Sequence, residues 1–207
     1  ISWAAEHVDA IVEAWFLGNE SGNAIADVLF GDVNPSGKLP VTFPRSVGQI
    51  PIYYNHKNTG RPFKQDDKFT SKYLDIPNTP LYPFGFGLSY TSYSYSNLKL
   101  SSSTLSANQE LKISVDVKND GKMAGKEIVQ LYIQDEVASV TRPVKELKGF
   151  RKILLKPGEL KSVDFTLTPE DLQFYNLEMK RVIEPGFFNV FVGGNSDDVI
   201  AAQFEFR

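Results

Sequence analysis

The sequence predicts a mixed fold: the end of an α/β domain, present as a β-α-β remnant, followed by an all-β sandwich. Two observations carry this. Apolar residues recur at helical spacing or in continuous runs over the first 44 positions, whereas from about residue 111 they alternate strictly with polar ones, the period of half-buried strands. Between the two lies Leu81-Tyr82-Pro83-Phe84-Gly85-Phe86-Gly87-Leu88-Ser89-Tyr90-Thr91. Pro83, Gly85 and Gly87 interrupt any regular ladder, while four aromatic rings are too large and apolar for a loose tether. It reads as a packed junction, with an aromatic edge strand carrying glycine bulges as the alternative.

Taken in order, Ala4 and Val8 belong to a helix end through about His7, and Ala10 to Leu17, broken only by Glu13, to a buried strand. Gly18 to Gly22 then turn the chain. A helix carrying Ala24, Ile25, Val28 and Leu29 follows, capped by Ser21 or Asn23 and ended by Gly31. Asn34-Pro35-Ser36-Gly37 is a turn, and Leu39 to Pro44 a short strand whose prolines place it at an edge. One β-α-β unit cannot cover both faces of its sheet, so residues 1–44 are expected to be the last piece of a larger α/β domain. Residues 45–91 are expected to be a long structured excursion ending in the aromatic junction.

Residues 92–207 are expected to form the sandwich. Leu111, Ile113, Val115 and Val117 alternate up to Asn119-Asp120-Gly121, and Val129, Leu131 and Ile133 do the same. Further strands are expected at 149–155, 163–167, 188–192 and 204–206, separated by Pro157-Gly158, Pro185-Gly186 and Gly193-Gly194-Asn195. About seven short strands at this spacing indicate an immunoglobulin or fibronectin type III-like sandwich.

Composition excludes several functions. A net charge of −3 with scattered Lys and Arg argues against a nucleic-acid surface, and the absence of cysteine removes disulfides, thiol nucleophiles and cysteine-based zinc sites. No apolar run approaches a membrane span. The first residues, Ile1-Ser2-Trp3-Ala4, resemble neither a natural start nor a signal peptide, so more chain is expected before them.

Motifs that look chemical mostly fail on spacing. Gly31 to Lys38 is one residue too long for a phosphate loop, has Leu39 in place of the hydroxyl, and follows a helix instead of preceding one. Ser21 is one place off a nucleophile elbow. His7 and His56 have no helical partners and read as surface or packed histidines, while Glu127, Glu146, Glu159, Glu170 and Glu184 read as solvated faces of the sandwich, as does the Lys64 to Lys68 cluster in its loop. Glu20 sits where ligands bind in open α/β sheets, although a carboxylate there also suits the helix dipole.

The runs Trp15 to Ala24, Asp27 to Pro40, Asn58-Thr59-Gly60-Arg61-Pro62, Tyr82 to Thr91, Arg142 to Phe150 and Leu155 to Glu159 closely resemble glycoside hydrolase family 3, most of all its bacterial periplasmic β-glucosidases. Leu17 and Ser21 depart locally from the usual Pro and Gly. The resemblance implies a parent with a (β/α)8-type barrel, an α/β sandwich domain and a C-terminal fibronectin III-like domain, of which this chain matches the end of the second and all of the third. It implies removal of terminal non-reducing β-D-glucosyl residues with retention, a periplasmic or secreted location, and no cofactor or metal. The nucleophilic Asp and acid/base Glu are expected upstream of Ile1, so no residue here inherits a catalytic role.

Substrate-binding candidates are Arg61, Tyr73 and Glu20. Arg61 presents donors in a fork suited to vicinal sugar hydroxyls, and Tyr73 a stacking face. In some related enzymes the corresponding loop reaches an active-site mouth, in certain cases a neighbouring subunit's, which leaves room for a homodimer. An ion pair of Arg61 with Asp66 or Asp67 is the competing expectation. The expected partners are a β-glucoside or oligosaccharide and the N-terminal domains of the same polypeptide. A stand-alone carbohydrate-binding or spacer module is the rival function, disfavoured because Trp3 and Trp15 both lie outside the sandwich.

Overall fold

In the computed structural model, which describes residues 1–207, the N-terminal region holds two helices, α1 (Ser2–His7) and α2 (Ser21–Phe30). Gly31 ends α2 in the left-handed conformation at φ 83°, where a side chain would be strained. The N-cap is Glu20 rather than Ser21 or Asn23, and Glu20 instead accepts a hydrogen bond from the Asn23 amide at 2.6 Å.

The two strands expected around α2 do not form. Residues 10–17 carry no ladder, because a strand needs a neighbour and none lies alongside; Trp15, at φ 49°, turns the chain while its amide donates to Glu13. Residues 39–43 do pair, but with the aromatic junction. Leu39 donates to Phe86 and accepts from Gly85, and Phe43 donates to Tyr82 and accepts from Leu81, all at 2.8–2.9 Å. Pro40, Pro44 and Pro83 lack the donors that would extend this into a regular ribbon.

No residue before Gln49 is buried, and Trp3, Val12, Trp15, Phe16, Leu29 and Phe30 are each more than half exposed. This apolar surface is continuous with nothing that covers it.

The sandwich follows the alternation read from the sequence. Its strands are β1 (Tyr93–Leu100), β2 (Thr104–Leu105), β3 (Leu111–Asn119), β4 (Gly125–Asp135), β5 (Glu146–Leu155), β6 (Leu160–Leu167), β7 (Phe174–Tyr175), β8 (Arg181–Val182), β9 (Gly186–Gly193) and β10 (Val199–Phe206). One sheet has the order β1-β3-β6 and the facing one β2-β10-β9-β4-β5, with β7 and β8 as a separate ribbon. Leu111, Ile113, Val115 and Val117 point inward from β3 against Val129, Leu131 and Ile133 of β4 and Val190 and Val192 of β9. Each such burial contributes roughly 1.5–3 kcal/mol, so the core sits entirely within this half of the chain.

Strand β4 is buried on both faces. Its second face is covered by the junction and by residues 53–58: Tyr54 stacks on Phe84 at 4.4 Å and meets Tyr132 edge-on at 5.6 Å. Gln130 donates from Nε2 to the carbonyls of Gly85 and Gly194 and accepts from Tyr132. Gly85 stands at φ 79°, and a Cβ there would collide with Gln130, so only glycine fits.

Candidate functional site

The loop bearing Arg61 is fastened at its base and folded on itself. Gln49, buried, accepts from the Arg45 amide and donates to the Pro77 carbonyl, while Arg45 donates to Thr79, closing the excursion where it begins and ends. His56 and Lys57 then zip against the sandwich, with Val144 donating to the His56 carbonyl at 2.9 Å and a bridge from Lys57 to Pro143. Beyond this anchor, Ser71 donates to the Arg61 carbonyl at 3.0 Å and the Thr59 and Ser71 hydroxyls meet at 3.0 Å. Asn78 ties Ser71 and Tyr73.

Arg61 and Tyr73 therefore lie on the two adjacent limbs of one neck. Both are exposed, and Arg61 makes no ion pair with Asp66 or Asp67. That leaves the guanidinium without an internal partner. Glu20 stands apart at the start of α2, and no hydrogen bond or ion pair joins it to either residue.

A polar seam fixes the N-terminal region onto the sandwich. Lys38 reaches Glu127 at 3.2 Å and the Gly87 carbonyl at 3.2 Å, and Tyr95 donates to Glu127 at 2.9 Å. Burial, reinforced by Glu127, pushes the Tyr95 hydroxyl far up, so it stays a donor. Asn34 donates to the Ala124 carbonyl and accepts from Ser89 and Tyr90, and the Tyr90 hydroxyl donates to Val28. Glu127 is thus a correction to the expected solvated face: it is 3% exposed and paired. Glu146 is likewise half-buried and bound to Arg142 at 2.7 Å; Glu159 and Glu184 are partly exposed and accept from the Lys156 and Ser139 amides, and only Glu170 of the five is fully at the surface. His7 stacks on Trp3 at 4.8 Å, and His56 faces the Tyr53 carbonyl.

At the exit of β4 a second polar group gathers that sequence reasoning missed. Asp135 is buried, and its Oδ2 stands 3.8 Å from Arg142 Nε, too far for a hydrogen bond; neither atom has another partner. Arg142 lies over the Phe174 ring at 4.6 Å. Burial raises the Asp135 carboxyl to about 6, against the pull of Arg142.

With this architecture in view, comparison with known proteins defines the class. Residues 1–90 match the glycosyl hydrolase family 3 C-terminal domain and residues 127–196 the fibronectin type III-like domain, so the chain belongs to glycoside hydrolase family 3. It is 56% identical over 202 residues to the periplasmic beta-glucosidase of Salmonella typhimurium, which covers 97% of this chain and 26% of that protein. A beta-xylosidase of Formosa agariphila is 46% identical over 196 residues, covering 95% of this chain and 26% of its own length. Among solved structures, the β-glucosidase of Listeria innocua in complex with glucose superimposes with a TM-score of 0.91 at 48% identity, over 98% of this chain and 28% of that one. The chain spans about a quarter of the length of the curated relatives it matches. No helix is long and apolar enough to cross a membrane.

Proposed function

We propose that this chain is the C-terminal portion of a retaining β-glucosidase that hydrolyses terminal non-reducing β-D-glucosyl residues. Its role is to scaffold the catalytic domains of the same polypeptide and to hold the Arg61 loop toward the leaving sugar. The observation that carries this is the exposed apolar surface of residues 1–44, riveted by the Lys38–Glu127 seam to the sandwich that holds the core. A surface of that kind, in a chain similar to part of larger β-glucosidases, fits the remainder of an α/β domain. The division into residues 1–44, 45–91 and 92–207 belongs to this reading, as does a periplasmic location, supported by the name of the Salmonella relative.

The chemistry follows the division of labour. Bond breaking needs two carboxyl groups about 5–5.5 Å apart in a retaining enzyme, and these are assigned to the catalytic domains. Arg61, exposed and without an ion pair, can donate to vicinal hydroxyls of the leaving sugar, and Tyr73 on the neighbouring limb can offer a ring face. Glu20 is retained as a weaker substrate contact.

Arg61→Ala in the intact enzyme tests this. The expected result is a loss in kcat/KM on a disaccharide of about 1–3 kcal/mol with little change on an aryl glucoside, because the latter has no hydroxylated leaving group. Equal losses on both would make Arg61 a structural residue. Assaying aryl β-xyloside beside aryl β-glucoside distinguishes the sugar, since relatives of both kinds share this region; faster xyloside turnover would replace glucose by xylose in the proposal.

A further inference from the structure

Arg61 and Tyr73 stand on a loop with almost no packing to hold them. From residue 55 to residue 75 every residue is exposed except Thr70, which is half-buried. An exposed limb samples many conformations unless something ties it, so without buried apolar contacts the direction of both side chains rests on hydrogen bonds.

Those bonds converge on Asn78. It is half-buried, and its neighbours on either side are fixed by Gln49, which is 1% exposed and donates from Nε2 to the Pro77 carbonyl at 2.9 Å and the Thr79 carbonyl at 3.4 Å. Arg45 adds two bonds to Thr79, at 2.9 Å to its carbonyl and 3.2 Å to its hydroxyl. From that base the Asn78 carboxamide grips the returning limb of the loop at two points. Its Oδ1 accepts from the Tyr73 amide and its Nδ2 donates to the Ser71 carbonyl, each at 3.0 Å. Ser71 passes the hold to the outgoing limb, where its amide donates to the Arg61 carbonyl at 3.0 Å and its hydroxyl meets that of Thr59, which accepts from the Arg61 amide at 3.3 Å. A carboxamide suits this place because it carries an acceptor and a donor a fixed distance apart, and both are in use.

We propose that Asn78 is a positioning residue for recognition of the leaving sugar, acting through Ser71 and Tyr73 to hold the Arg61 guanidinium and the Tyr73 ring as one pair. This rests on the reading of Arg61 and Tyr73 as contacts to that sugar, and adds the residue that sets their geometry. Asn78 touches no substrate itself. Its effect is therefore confined to substrates that use the pair, and it disappears when the pair is already broken.

The test is kcat and KM of the intact parent enzyme on cellobiose and on an aryl β-glucoside, for Asn78→Ala, Asn78→Asp, Arg61→Ala and the combination of Asn78→Ala with Arg61→Ala. Asn78→Ala should lose roughly tenfold in kcat/KM on cellobiose, with the aryl glucoside within about twofold of the parent. Asn78→Asp keeps the shape of the side chain and the acceptor for Tyr73 but sets a carboxylate against the Ser71 carbonyl, so it should show a similar selective loss, and it carries the test if Asn78→Ala folds poorly. In the Arg61→Ala background, Asn78→Ala should cost no more than about threefold further on cellobiose. Equal losses on both substrates, or the full tenfold in that background, overturn the proposal. An unchanged Asn78→Ala beside a selective Arg61→Ala overturns it too, while leaving the reading of Arg61 intact; an Arg61→Ala without selectivity removes that reading and the role of Asn78 with it.

Discussion

Replacing Glu127 by Ala removes the centre of the seam, and its cost follows from what is left behind. The Lys38 side chain is 14% exposed and the Glu127 side chain 5%, so the pair is well inside the molecule. Breaking a buried pair from one side typically costs 3–5 kcal/mol, because the surviving charge is stranded. Here the Gly87 carbonyl remains for Lys38, which pulls the value toward the lower end, while the Tyr95 hydroxyl loses its acceptor. The net expectation is about 3 kcal/mol. With a urea slope of about 1.5 kcal/mol/M, the unfolding midpoint of the chain should fall by about 2 M, read by far-ultraviolet circular dichroism. Lys38→Met combined with Glu127→Leu should recover at least half of that loss, since no charge is then stranded. Hydrogen exchange should accelerate at the amides of Leu39, Phe43 and Gly85, which the seam holds against the junction. A loss below about 1 kcal/mol, or a double variant no better than the single one, would refute the view of this pair as a buried clamp.

The Asp135 carboxyl should leave a signature in the pH dependence of stability. Its folded value of about 6 lies above the usual value near 3.9, so the folded state holds the proton more tightly. That contribution is fully present below about pH 4 and is lost as pH rises through about 6, amounting to about 2–3 kcal/mol. Asp135→Asn should therefore gain stability relative to the parent chain between pH 4 and pH 7, and a difference flat across that range would count against the burial argument. Limited proteolysis of the isolated chain should cut first within residues 8–20 and spare residues from about 92 onward. Chymotrypsin or thermolysin is the suitable probe, because the first 37 residues contain no Lys or Arg. Equal protection of both regions would mean that residues 1–44 are stable on their own.

Legibility in the sequence followed the physics of each element. The alternating strands of the sandwich were plain because a half-buried strand writes its own period, and even the unpredicted β1 carries it in Tyr93-Ser94-Tyr95-Ser96. Residues 10–17 misled because an apolar run signals burial without naming the partner, and no ladder partner lies beside them. The same register argument would have found half of the seam and half of the polar group at the exit of β4. Glu127 and Asp135 share the phase of Val129, Leu131 and Ile133, so two carboxylates were visible on the inward face of β4. Their partners, Lys38 and Arg142, were not, because tertiary folding alone brings them together. For Arg61, the long polar excursion pointed to the loop, but whether its guanidinium was paired required the structure.

The most direct measurement is hydrolysis of an aryl β-glucoside by the purified 207-residue chain, set against the intact parent polypeptide at equal molar concentration. The chain alone should show no rate above buffer, because both catalytic carboxyl groups are assigned to the remainder of the parent, while the parent turns over at an ordinary enzymatic rate of roughly 1–1000 per second. Turnover by the isolated chain in that range would place the catalytic pair within these residues and contradict the assignment of this region as scaffold.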